Sequence, residues 1–86
     1  MKVSRTDRFK KAWIILNERE QKLGKKAIQL MLLDLHYPSL RIKKIQGTQD
    51  IFEARVSLHI RLTFMIDKDI LVLRNVGRHD DTISNP

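Results

Sequence analysis

Phe9, Ala12, Trp13 and Leu16 recur at i, i+3, i+4 and i+7, which sets them on one face of a 3.6-residue helix. Thr6 precedes them as a capping hydroxyl, and Asp7 suits the positive end of the helix. Asn17 followed by Glu20 reads as a second helix start with a capping-box carboxylate. Leu23, Ala27, Leu30 and Met31 then repeat the stripe, and Ile28, Leu32 and Leu35 widen it. The phase nearly carries through from 6 to 36, so one long helix is an alternative. The polar interruption at 17–21 favours two helices in a hairpin, and Pro38 ends this half of the chain.

Beyond Pro38 the period changes from 3.6 to 2. Phe52, Ala54 and Val56 alternate with Glu53 and Arg55, and Ile60, Leu62, Phe64 and Ile66 alternate with Arg61, Thr63 and Met65. Residues 70–76 are almost continuously apolar, as expected of an inner strand covered on both faces. Residues 40–45 are a weaker strand candidate, and 2–5 a poor one. The segment 46–50 reads as a loop and 67–69 as a turn.

Directly paired residues on antiparallel strands share a face, so the sum of their numbers is constant along a hairpin. Burying Phe52, Ala54 and Val56 with Ile60, Leu62 and Phe64 requires an even sum, such as 116, with Ser57, Leu58 and His59 as the loop. Arg55 then stands opposite Arg61, and Glu53 opposite Thr63. A two-residue loop at Lys68 and Asp69 pairs Phe64 with Leu73 and Ile66 with Leu71, and sets Thr63 opposite Arg74. The expected architecture is α+β: an N-terminal helical hairpin on one face of a small, mainly antiparallel sheet. Its other face would expose Glu53, Arg55, Arg61 and Arg74.

Composition narrows the class. Eighty-six residues, 42% hydrophobic and 31% charged, make one domain over 1–86. With no cysteine there is no disulfide framework and no thiolate metal site, which suits a reducing cytoplasm. The charged N-terminus lacks the apolar region of a signal peptide. The stretch 27–35, broken by Gln29 and Asp34, is too short to span a membrane. A net charge of +7 draws the domain to polyanions. Arg41, Lys43 and Lys44, with Lys10, Lys11, Lys22, Lys25 and Lys26, offer a surface for a phosphate backbone.

On the outer sheet face, Arg55 beside Arg61 asks for a shared anion, because like charges directly opposite repel. Glu53 supplies it in a purely structural reading. In a functional one the guanidinium groups bind phosphate and Glu53 is a general base. His79, just past a strand end and beside Gly77, is a titratable group suited to a general acid, with Asp80 to orient it. His36 and His59 read as surface histidines, and three scattered histidines without cysteine do not suggest a metal site. No glycine-rich phosphate loop is present. Phe52 and Phe64 fall on the core side, which argues against a base-stacking sheet.

Taken in order, 36–47 (HYPSLRIKKIQG), 52–56 (FEARV), 60–64 (IRLTF) and 76–80 (VGRHD) resemble the RelE/ParE toxin superfamily of bacterial and archaeal toxin–antitoxin systems. The resemblance extends in style to the helical half. It implies the same helical hairpin on an antiparallel sheet, and a cytoplasmic, ribosome-dependent mRNA endonuclease held inactive by a cognate antitoxin protein. It implies no cofactor and no metal. The set of Glu, Arg and His is most similar to a YoeB-type arrangement. Glu53 matches the base position, Arg61 the phosphate-binding arginine, Arg55 a position where many relatives carry Lys or Arg, and His79 the C-terminal acid. Arg41, Lys43, Lys44, Arg74 and Arg78 are the candidate substrate-binding cations. Where many relatives carry an aromatic residue shortly after the acid, this chain reads Asp80-Asp81-Thr82-Ile83. The alternatives are a ParE-type gyrase inhibitor and a non-catalytic basic module that binds RNA or an antitoxin.

Overall fold

The computed structural model describes residues 1–86. Its elements run β1 (Lys2–Arg5), α1 (Asp7–Ile15), α2 (Glu18–Leu33), a 3-10 turn at Pro38–Leu40, β2 (Lys43–Lys44), β3 (Phe52–Arg55), β4 (Ile60–Asp67), β5 (Ile70–Arg78) and α3 (His79–Ser84). The sheet is ordered β1-β5-β4-β3-β2. β1 joins β5 in parallel, and every other pair is antiparallel.

The helical half breaks into two where the polar interruption predicts. The Thr6 hydroxyl accepts from the Phe9 N–H at 3.1 Å to start α1. Asn17 and Glu20 exchange side-chain-to-backbone bonds of 2.8 and 2.9 Å, a complete capping box that starts α2. Phe9, Leu16, Ala27 and Met31 from these helices pack with Ala54, Ile60, Leu62, Phe64, Leu71, Leu73 and Val76 from the sheet. The stripe that predicts the helices is thus the face that builds the core, except for Leu32, which is exposed.

Gly24 marks the helix crossing. A Cβ built there would lie 2.6 and 2.7 Å from two ring carbons of Trp13, whose indole stacks on Phe9 with centroids 5.8 Å apart. In an isolated helix Gly→Ala gains about 1 kcal/mol. Here the contact reverses the sign: Gly24→Ala is expected to destabilise the domain by about 1–3 kcal/mol, the usual cost of overpacking. Chemical denaturation measures the loss. Emission from Trp13, the sole tryptophan, shifts to the red if the ring is displaced toward water.

Register follows the parity argument over most of the sheet. Glu53 pairs with Thr63, Arg55 with Arg61, Phe64 with Leu73 and Ile66 with Leu71. Phe52 and Phe64 stack on the core side with centroids 5.7 Å apart. One expectation fails. A bulge between Thr63 and Phe64 leaves Arg74 without a partner, so Thr63 faces Asn75 and not Arg74. The Thr6 hydroxyl donates to the Arg74 carbonyl at 2.9 Å, so the start of α1 occupies a backbone acceptor at the bulge. Residues 40–45 shrink to the two-residue edge strand β2, because Leu40 belongs to the 3-10 turn.

The second difference bears on function. The outer sheet face is only partly open. α3 packs over β4 and β5, with Thr82 buried above Gly77. The chain end continues across the face: Thr63 Oγ1 and Arg74 Nε donate to the Pro86 oxygen at 3.0 and 3.1 Å, and Asn75 Nδ2 donates to the Asn85 oxygen at 2.8 Å. Glu53, expected to be exposed, is only 6% exposed, and Thr63 is fully buried. No helix is long and apolar enough to cross a membrane.

Candidate active site

Alternation along β3 and β4 sends Glu53, Arg55 and Arg61 to one face, and the pairing brings them together. Arg61 Nε lies 3.8 Å from Glu53 Oε1. Arg61 Nη1 donates to the carbonyls of Ser57 (2.8 Å), Ile60 (3.2 Å) and Leu58 (3.4 Å). The guanidinium is therefore fixed on two sides, by the carboxylate and by the β3–β4 loop, and Nη2 is left free. Burial lowers its pKa from the ordinary arginine value. Arg55 pushes the same way, Glu53 opposes, and Arg41 adds to the depression.

Arg41 is brought in by the 3-10 turn. It caps that turn in the left-handed region at φ 45°, a conformation that costs a residue with a Cβ roughly 1–2 kcal/mol. Its N–H closes the turn on the Pro38 carbonyl at 3.2 Å. The group of Glu53, Arg55, Arg61 and Arg41 thus holds three cations and one anion. Neither Arg55 nor Arg41 is in a salt bridge, and Glu53 accepts no hydrogen bond from the protein. The group therefore carries a net positive charge beside a carboxylate whose lone pairs are free, an arrangement chemically suited to an anion.

His79 stands at a distance. Its N–H donates to the His59 carbonyl at 2.9 Å, which extends the β4–β5 ladder by one step past Ile60 and Arg78. By register Arg61 is the midpoint: Glu53, opposite Thr63, lies diagonally across on β3, and His79, bonded to the His59 carbonyl, lies on the opposite diagonal. The His79 ring is half-exposed and bonds Asp80 through Nδ1 at 2.9 Å. His79 follows the end of β5 as the sequence predicts, and it also opens α3, whose first turn carries Asp80 and Asp81. That acidic first turn is the signal that would have revealed the helix.

The other candidates scatter. Lys43 pairs with Glu53 on the outer face, whereas Lys44 pairs with Phe52 and belongs to the helix side. Arg78 pairs with Ile60, again on the core side by parity, and precedes α3. Arg74 is engaged with Pro86, and its Nη1 lies 3.6 Å from Met65 Sδ. Sequence reasoning singled out neither the loop carbonyls that orient Arg61 nor the chain end that crosses the sheet, because both depend on contacts made only in the folded state.

No protein-family model and no curated protein matches the sequence. Solved structures do. A chain of the RelB–RelE antitoxin–toxin complex from Methanococcus jannaschii is 20% identical and superposes with a TM-score of 0.73, over 87% of this chain and 88% of its own. For the intact RelBE toxin–antitoxin complex of E. coli the figures are 18% and 0.73, covering 92% and 96%. For the YoeB/ParE toxin of Agrobacterium tumefaciens they are 12% and 0.80, covering 92% and 99%. The coverage is nearly complete in both directions, so the match is of the whole domain and not of a common substructure. The chain therefore has the same fold as these RelE and YoeB/ParE toxin structures.

Proposed function

We propose that this protein is the toxin of a toxin–antitoxin pair and that it cleaves RNA, with mRNA on the ribosome as its target. The observation that supports this best is the collinear order of Glu53, Arg61 and His79 across the sheet. In an in-line phosphoryl displacement the attacking and leaving oxygens lie on opposite sides of phosphorus. A base and an acid that flank a phosphate-binding arginine suit this reaction better than a base and an acid in contact.

In the scheme, Glu53 takes the proton of a ribose 2′-OH, and that oxygen attacks the adjacent phosphorus. Arg61 and Arg55 stabilise the charge that builds on the phosphoryl oxygens. The bond to the 5′-oxygen breaks, and His79 gives that oxygen a proton. The products are a 2′,3′-cyclic phosphate and a 5′-hydroxyl. Every chemical step is assigned to a side chain of this chain. Asp80, bonded to His79 Nδ1, fixes the ring so that the other nitrogen serves the leaving group.

Three of the solved structures that share the fold are complexes with RelB. By extension a cognate antitoxin masks this site, and the chain's net charge of +7 calls for an acidic partner segment. The complex should weaken as salt rises.

Primer extension on mRNA after brief induction tests the reading. The wild-type chain is expected to leave distinct in-frame cuts, and Arg61→Ala none. Inhibited supercoiling with intact mRNA would instead assign the chain to the gyrase poisons. Cleavage of an all-deoxy strand would overturn the mechanism, since DNA lacks the 2′-OH.

A further inference from the structure

Beside the Arg55 end of the site, α2, the 3-10 turn and the edge of β3 enclose a cavity of about 510 Å³. Its floor is apolar, with Leu30, Leu40 and Val56, and its rim is cationic, with Lys26, Arg41 and Arg55; no acidic side chain lines it. Two backbone features sharpen this picture. Arg41 is held on the rim in the left-handed region, a conformation that residues with a Cβ seldom adopt. The edge of β3 is also unpaired here. The Ile51 carbonyl accepts from Ile45 on the β2 side, while the Val56 N–H donates to Ile60 on the β4 side. The alternation of an antiparallel ladder therefore turns the Arg55 N–H and carbonyl toward β2. β2 ends at Lys43, opposite Glu53, so those groups emerge past its end.

An apolar floor, a ring of cations and a free backbone donor and acceptor suit a nucleotide, with its base on the floor and its phosphate on the rim. Resting on the reading of the adjacent site as RNA-cleaving, we infer that this cavity is a subsite for a nucleotide flanking the scissile bond, shared with that site through Arg55 and Arg41. An extended single strand entering over Arg61 turns one neighbouring base into the cavity. Its phosphate lies between Arg41 and Lys26. Cleavage then requires a strand and not a dinucleotide, because part of the binding energy that positions the scissile phosphate is collected one residue away.

The test uses the full chain and a fluorescein-labelled 2′-O-methyl RNA pentamer, in which the attacking hydroxyl is blocked, read by anisotropy. Single abasic positions are walked along the pentamer. In the wild type, one flanking position is expected to cost about ten-fold in Kd, the effect of withdrawing roughly 50–60 Å² of apolar contact. Ser39→Phe, which fills the cavity from an exposed lining position, is expected to flatten that profile. Lys26→Gln is expected to reduce the slope of log K against log salt by about 0.7, the value for one phosphate contact on a single strand. Neither residue belongs to the proposed catalytic set.

A flat abasic profile in the wild type, or a profile unchanged by Ser39→Phe, overturns the subsite; if ordinary RNA is still cut, the cleavage reading survives it. Failure to bind the pentamer even at low salt also overturns the subsite, while cleavage on the ribosome is judged separately, by primer extension. Self-association that Ser39→Phe abolishes would give the cavity to a second copy of the chain and overturn the subsite as well.

Discussion

Glu53→Gln is expected to slow RNA cleavage roughly 10²–10⁴-fold, the usual contribution of a general base, while the domain stays folded. Glutamine keeps the volume and planarity of a side chain that is only 6% exposed, so packing is conserved and only the charge and the proton acceptor are lost. The loss should fall on kcat. Removing the carboxylate 3.8 Å from Arg61 leaves the three arginines without their counter-charge, so affinity for a phosphate holds or rises and KM does not increase. A structural role for Glu53 predicts the opposite pattern: a loosened Arg61, weaker binding and a lowered melting temperature. His79 separates from Glu53 through the leaving group. With an RNA strand whose scissile 5′-oxygen is replaced by sulfur, a leaving atom that needs no proton, His79→Ala should cost little while Glu53→Gln still costs its full factor. Undiminished cleavage by Glu53→Gln on ordinary RNA would remove the base from the scheme.

The cluster at the β3–β4 hairpin was readable because it depends on local alternation. Once Phe52, Ala54 and Val56 must share a face with Ile60, Leu62 and Phe64, the position of Arg55 opposite Arg61 is forced. The bulge at Arg74 is a different kind of fact. Nothing in the almost continuous apolar run of 70–76 distinguishes a regular strand from one with an extra residue. The Thr6 hydroxyl on the Arg74 carbonyl and Pro86 on the Arg74 side chain come from remote parts of the chain. α3 escaped for a related reason. Six residues are too few to show an amphipathic stripe, and its anchor, Thr82 over Gly77, is a small polar residue on a glycine, which no hydrophobic pattern marks. The consequence for the site is direct. Alternation alone implies an open sheet face, whereas the bonds from Thr63, Arg74 and Asn75 to the chain end close part of it and leave access from the Arg55 and Arg41 side.

Phe64→Ala is expected to cost about 3–5 kcal/mol, the range for truncating a buried phenylalanine. Phe64 is 1% exposed on β4, the middle strand of the sheet, and it stacks on Phe52 across β3 and pairs with Leu73 across β5. Its backbone also bounds the bulge, where the ladder is already interrupted, so the neighbouring pairs give little support when the ring is gone. A domain of 86 residues has roughly 4–13 kcal/mol of stability in all, so this one change removes a large part of it. Urea denaturation should show a lower midpoint with an unchanged slope, the mark of lost stability without a change in surface exposed. Phe52→Ala, at a half-buried position, should cost less. The double mutant should fall short of the sum of the two by about 0.5–1.5 kcal/mol, the coupling expected of a ring pair. The effect reaches the site because β4 carries Arg61 three residues before Phe64. The guanidinium stays aimed only while Ile60 and the loop carbonyls of Ser57 and Leu58 hold their places on that strand. Cleavage by Phe64→Ala should therefore fall with temperature along the unfolding curve, and not by a fixed factor as for Glu53→Gln. A temperature-independent loss would mean that the ring positions Arg61 directly instead of through the stability of β4.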